Sequence, residues 1–152
     1  MEILSPLMLL HQNGYKALLT PVRILIVEDS DVLRHRVCSM LRDCADFYVV
    51  GEACDGVQAI NQSMELQPDV VLLDVSMPNL SGLGAAPRIL QVSPQSKILM
   101  FSQHDASYLV SAALNAGALG YVVKYDAGRD LLAGLRATSR GKQFLSSGVS
   151  AA

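Results

Sequence analysis

The chain has 152 residues, 51% hydrophobic and 17% charged, and its 12 basic and 14 acidic side chains give a formal net charge of −2. That balance describes a globular protein with a proper core; it excludes a disordered chain and one that grips nucleic acid by bulk charge. Cys38, Cys44 and Cys54 form no CxxC pair and read as thiols in a reducing compartment.

Residues 1–21 fit no sheet pattern. Leu7, Met8, Leu9 and Leu10 can make one helical turn, but Asn13-Gly14 and Pro21 bracket it with breakers. Glu2 replaces the basic start of a signal peptide, and Pro6 interrupts an apolar run far short of the about 18 residues that a membrane span needs. The reading is a leader on a cytoplasmic protein with no membrane partner.

Regular architecture starts at Val22. Ile24, Leu25, Ile26 and Val27 form a continuous apolar run, the mark of a strand buried on both faces, and it ends on Glu28-Asp29. Ser30 or Asp31 can cap the helix that follows, whose apolar stripe is Leu33, Val37, Met40, Leu41 and Cys44. Residues 48–53 are a shorter, less apolar strand and suit a sheet edge. Asp55-Gly56 opens a second helix, predicted to point Val57, Ile60, Met64 and Leu66 inward, and Pro68 stops it.

Val70, Val71, Leu72 and Leu73 make the most apolar strand, and it ends on Asp74 just before Pro78. After the loop, residues 82–92 are predicted as a helix that is irregular or late to begin, because of Gly84 and Pro87. Residues 97–102 are a fourth strand ending on the Ser102 hydroxyl, and residues 106–116 a helix closed by Gly117. Residues 120–124 are a fifth strand ending on Lys124; the last helix spans 128–140, with Leu131, Leu132 and Leu135 inward. Strand and helix alternate five times. That rhythm predicts an α/β fold, a doubly wound parallel sheet with helices on both faces.

In such a sheet the carboxyl ends of the strands share one rim, where ligands bind. Glu28, Asp29, Asp74, Ser102 and Lys124 then meet there. Three carboxylates held close call for a hard cation, and Mg2+ with one or two protein carboxylates and several waters fits them. The lysine offers a charge and the serine a hydrogen bond to an anion. Metal, lysine and a strand-end aspartate together suit phosphoryl transfer onto Asp74.

These residues resemble the receiver domains of two-component response regulators, over roughly residues 22–145. The likeness rests on Glu28-Asp29, on the D-x-x-M-P-x-x-x-G pattern from Asp74 to Gly82, on Phe101-Ser102, and on Gly120-Tyr121-Val122-Val123-Lys124. It implies a flavodoxin-like fold with five strands in the order 2-1-3-4-5, and a phosphoacceptor at Asp74 charged by a sensor histidine kinase. It further implies Mg2+ at Asp29, Asp74 and the backbone carbonyl of Ser76, with Glu28 acting through water. Lys124 and Ser102 would hold phosphoryl oxygens, and Ser102 with Tyr121 would form the switch. Ser76 and His104 are candidates for setting the phosphoryl lifetime. Such a chain is no classical enzyme, although it assists its own phosphorylation and dephosphorylation.

Ser102-Gln103-His104-Asp105, Ala116-Gly117-Ala118-Leu119-Gly120-Tyr121 and Gly141-Lys142-Gln143-Phe144-Leu145-Ser146 resemble receivers that precede a LuxR-type helix-turn-helix. Residues 146–152 read as the start of a linker or tail, and no helix-turn-helix follows in this sequence. Two outputs stay open: the receiver part of a transcriptional regulator, or a stand-alone adaptor that binds other proteins. Either way this chain alone is expected not to bind DNA. A phosphorylation-dependent homodimer is expected through the face of the fourth helix, where Tyr108, Leu109, Val110 and Leu114 offer excess apolar surface. Tyr125 departs from the proline common after the lysine.

A flavin- or nucleotide-binding protein of this fold would need a phosphate cradle after the first strand, where Glu28-Asp29-Ser30-Asp31 instead supplies acids. An aspartate phosphatase would resemble D-x-D, and Ser76 stands at its second position.

Overall fold

The computed structural model describes residues 20–149. The expected leader up to residue 19 and the end of the tail, 150–152, lie outside the described residues. The elements alternate as β1 (Val22–Val27), α1 (Asp31–Arg42), β2 (Phe47–Ala53), α2 (Gly56–Leu66), β3 (Val70–Asp74), α3 (Gly82–Val92), β4 (Lys97–Ser102), α4 (Ser107–Asn115) and β5 (Gly120–Val123). A 3-10 turn (Lys124–Asp126), α5 (Ala127–Ser139) and a short β6 (Phe144–Leu145) complete them. The sheet is parallel with order β2-β1-β3-β4-β5-β6. The fold is therefore the expected flavodoxin-like one, with a sixth strand that the sequence reading did not foresee.

The continuous apolar runs follow from two cores, one on each face of the sheet. Leu25, Val71, Leu73, Ile98, Met100 and Val123 point toward α2, α3 and α4, where Ala59, Ala85, Ile89 and Val110 meet them. Ile24, Ile26, Leu72, Leu99, Phe101 and Val122 point the other way, onto Val37 and Leu41 of α1 and Leu131 and Leu135 of α5. Because alternate residues of the inner strands serve opposite cores, their central runs are apolar throughout and polar residues are left to the strand ends. β2 covers only a flank of β1, which explains its weaker apolar pattern.

Three expectations need correction. α2 turns Gly56, Ala59 and Ser63 inward, while Val57 and Met64 are 49% and 57% exposed. The contact is too close for large side chains: a Cβ on Gly56 would collide with the Leu80 carbonyl oxygen. α3 starts at Gly82 without irregularity, since Ser81 Oγ caps it by accepting from the Gly84 N–H at 3.2 Å. On α4, Val110 is fully buried, Leu109 and Leu114 are half-buried, and Tyr108 alone of the four stands out at 71% exposure.

Candidate functional site

The strand ends deliver the predicted residues to one cavity of about 340 Å³, lined by Glu28, Asp29, Ser30, Leu33, Asp74, Ser76, Ser102, Gln103 and Lys124. β1 brings Glu28, β3 brings Asp74 and β4 brings Ser102; each is buried to within 2%. Lys124 opens the turn after β5, so that strand ends one residue earlier than expected. Register explains the convergence. Asp74 is opposite Phe101, and Ser102 is opposite Val123, which places the functional groups of adjacent strands one step apart on the same rim.

The ligand oxygens of Glu28, Asp29 and Asp74 all lie within 4.8 Å of one another. One ammonium serves two of them: Lys124 Nζ is 2.7 Å from Glu28 Oε1 and 3.2 Å from Asp74 Oδ2. Glu28 Oε2 accepts from the Ser30 N–H at 3.0 Å, and Asp74 Oδ1 accepts from the Ser76 N–H at 3.1 Å. Glu28 Oε1 has no aligned hydrogen bond beyond its ion pair. Burial, reinforced by the Glu28 charge, pushes the Asp74 carboxyl up from 3.8 to about 7, despite the opposing pull of Lys124 and the Ser76 N–H. Burial works to lower Lys124, but its close pairing with Glu28 and the charge of Asp74 outweigh it and raise the ammonium. Three carboxylates against one cation leave uncompensated negative charge in a small oxygen-lined space. That donor set fits a hard divalent ion.

Ser76 and His104 are both exposed at the rim. Ser102 Oγ accepts from the His104 N–H at 3.1 Å. Tyr121, the other expected switch residue, is fully buried, and its hydroxyl donates to the His104 carbonyl at 2.7 Å. The ring belongs to the core on the α2–α4 face of the sheet, against which Leu145 also packs.

Two contributors escaped the sequence reading. Arg34 donates to the Glu28 carbonyl at 2.8 Å and to Glu52 Oε1 at 3.0 Å while pairing with Asp31, so it braces the acidic loop against β2. Its position off the apolar stripe of α1 resembled any solvated arginine, and nothing in the spacing marked it. Gly82 is the second: a Cβ there would collide with the Asp74 carbonyl oxygen. The D-x-x-M-P-x-x-x-G pattern carried that signal without its reason.

Residues 24–136 match the model of the response regulator receiver domain. The chain belongs to that family. It is 33% identical over 125 residues to the response regulator GacA of Pseudomonas viridiflava and 35% identical over 121 residues to the response regulator protein VraR of Staphylococcus aureus. These alignments take in 82% and 80% of this chain but only 58% of each relative, so the chain spans little more than half their length. Among solved structures, a LuxR-family two-component response regulator from Aurantimonas superposes with a TM-score of 0.82 at 29% identity, covering 86% of this chain and 93% of that one. The isolated receiver domain of RcsB from Salmonella enterica serovar Typhimurium, with phosphomimetic BeF3−, gives 0.78 at 26% identity, covering 86% and 96%. This receiver domain is thus a two-component one with LuxR-family neighbours. No helix among its described residues is long and apolar enough to cross a membrane.

Proposed function

We propose that this receiver is a phosphorylation-controlled switch acting in the cytoplasm, with Asp74 taking its phosphoryl group from a sensor histidine kinase. The observation that carries the reading is the convergence of Glu28, Asp29, Asp74 and Lys124 on one cavity at the strand ends. Asp29 and Asp74, with the Ser76 carbonyl, would hold Mg2+. Both Glu28 oxygens are already engaged, by Lys124 and by the Ser30 N–H, so Glu28 would act through water. When bound, the ion supplies positive charge that lets Asp74 ionise and a phosphoryl group approach.

The chain's own residues do the rest. An ionised Asp74 oxygen attacks phosphorus as the phosphorus–nitrogen bond of the donor phosphohistidine breaks, and the departing imidazole takes a proton. Lys124 balances charge on the transferred group, and the Ser102 hydroxyl turns to donate to one of its oxygens. Ser102 then draws on His104, and His104 on Tyr121, through bonds already formed. Exposed Ser76 and His104 would govern how readily water reaches the acyl phosphate. This module works by changing its partners rather than by turning over a substrate.

The output is transcriptional, by analogy with the LuxR-family neighbours, and passes through self-association on the α4–β5–α5 face rather than through DNA contact by residues 20–149. An adaptor function is the second reading, supported by the exposed Tyr108 on that face. Incubation with a small acyl phosphate and Mg2+ should add one phosphoryl group by intact mass, and none to Asp74→Asn. Sedimentation of the same samples should show a phosphate-dependent dimer. Equal gains in wild type and variant would overturn the phosphoacceptor assignment.

A further inference from the structure

The segment after α5 lies beyond residues 24–136, where the family model ends, yet it is built into the domain. β6 pairs in parallel with β5, Phe144 opposite Gly120 and Leu145 opposite Tyr121. The strand crossing is close: a Cβ on Gly120 would lie 2.7 Å from the Phe144 carbonyl oxygen, and one on Gly134 would lie 3.2 Å from the Phe144 ring. Ser146 follows, 1% exposed. Its N–H donates to the Tyr121 carbonyl at 3.0 Å, and its hydroxyl oxygen accepts from the Val123 N–H at 3.0 Å.

The Asp130 carboxylate on α5 stands beside that hydroxyl: Arg129 Nε donates to Asp130 at 3.1 Å, and Arg129 first, then the nearby Ser146 and Ser147, hold that carboxyl below its ordinary range. Asp130 is 7% exposed, and Arg129 Nη2 closes the ring of contacts by donating to Ser147 Oγ at 2.6 Å. A buried hydroxyl thus satisfies one backbone N–H, that of Val123, and a buried carboxylate stands beside that hydroxyl. A short strand such as β5 gains much from this, because a buried N–H left unpaired is costly.

What matters is where Val123 stands. It is the last residue of β5, and the next is Lys124, whose ammonium reaches Glu28 and Asp74. On its inner side Val123 is registered against Ser102. On its outer side only Ser146 holds it among the described residues. We propose that Ser146 and Asp130 are positioning residues for the phosphoryl site: they fix the end of β5 and so the stance of the Lys124 ammonium, making segment 144–149 part of the site. The inference rests on Asp74 being the phosphoacceptor.

The test uses the full chain as wild type, Ser146→Ala, Ser146→Thr and Asp130→Asn, well below the lowest melting midpoint. With a small acyl phosphate and Mg2+, Ser146→Ala should incorporate phosphoryl about tenfold more slowly, the scale expected of a slightly misplaced charge. Asp130→Asn should lose about threefold, and Ser146→Thr, which keeps the hydroxyl, should recover the rate. Mg2+ affinity should stay within about twofold, because its carboxylates come from β1 and β3 rather than β5. Without any donor, the Val123 amide should exchange about tenfold faster in Ser146→Ala, and the Lys124 Cε signal should move. Wild-type rates in both Ser146→Ala and Asp130→Asn would overturn the proposal, as would parallel loss of rate and Mg2+ affinity, which marks a role in folding alone. A wild type that takes no phosphoryl group refutes the phosphoacceptor reading instead; unchanged Val123 exchange in Ser146→Ala then refutes the positioning on its own.

Discussion

Lys124 leans on Glu28 rather than on Asp74, at 2.7 Å against 3.2 Å, so the proposed nucleophile has the weaker hold on the only ammonium among the described residues that line the cavity. Removing the Glu28 charge should therefore act on Asp74 in two ways, by ending a repulsion and by releasing the lysine to it. In Glu28→Gln the Asp74 carboxyl should titrate well below its value of about 7 in wild type, followed by its carboxyl carbon signal without metal. Mg2+ binding should weaken only mildly, whereas Asp29→Asn should lose about tenfold or more, since Asp29 has a direct place in the proposed shell. Equal losses in the two variants would give Glu28 a direct place too.

Asp74 also makes stability depend on pH. Its folded value of about 7 lies above the ordinary 3.8, so the folded chain holds this proton more tightly than the unfolded one. The resulting stabilisation is fully present below about pH 4 and is lost as pH rises through about 7. Urea unfolding without metal should show wild type losing ground to Asp74→Asn across that window, by on the order of 3 kcal/mol at pH 8. Added Mg2+ should narrow the gap by favouring the ionised form. A constant difference between the two proteins from pH 5 to 8 would contradict the raised carboxyl.

Why some of this was legible in the sequence and some was not has a physical answer. Strands such as Val70–Asp74 serve two cores at once, so their sequence is apolar without interruption and its end is unmistakable. A residue that ends such a strand must then lie on the rim, which is why Glu28, Asp74, Ser102 and Lys124 could be brought together before any coordinates. Helix faces carried less information. Val57 and Met64 look like a stripe, but the close approach of Gly56 to Leu80 turns the face of Gly56, Ala59 and Ser63 inward, and of the expected stripe Ile60 packs against that core. Arg34 and Ser146 work through backbone atoms, Glu28 O and Val123 N, and a backbone partner leaves no trace in residue type. Phe144-Leu145 is too short a run to announce a strand without β5 beside it.

Gly82 offers a sharper test of the Asp74 loop. Its N–H donates to the Val75 carbonyl at 2.8 Å, and any Cβ would meet the Asp74 carbonyl oxygen, a backbone atom that cannot swing aside. Gly82→Ala should cost about 1–3 kcal/mol through overpacking. It should also displace Asp74, so phosphoryl incorporation falls more than stability alone predicts. Gly128→Ala is the control, because nothing lies within 4 Å of a Cβ there. Similar behaviour in the two variants would deny Gly82 its special role.

Tyr121 links the cavity to the core through two bonds: its hydroxyl to the His104 carbonyl at 2.7 Å, and the His104 N–H to Ser102 Oγ at 3.1 Å. A second tyrosine holds the same loop from outside, Tyr125 donating to Asp105 Oδ2 at 2.9 Å while 68% exposed. The two contacts are chemically alike but differ in burial, and burial decides their worth. Tyr121→Phe keeps the ring in place and strips the His104 carbonyl of its donor, which should cost about 1 kcal/mol. Amide exchange at Gln103 and His104 should quicken, because the loop then keeps only the His104 N–H bond to Ser102 and the exposed Tyr125 contact. Tyr125→Phe should cost less and leave the His104 amide protected, since water can replace an exposed partner. Tyr121→Ala should lose about 3–5 kcal/mol by opening a hole beside Leu145 and Val110. If Tyr125→Phe loosens His104 as much as Tyr121→Phe does, the loop is governed from its surface and the buried ring is no part of the switch.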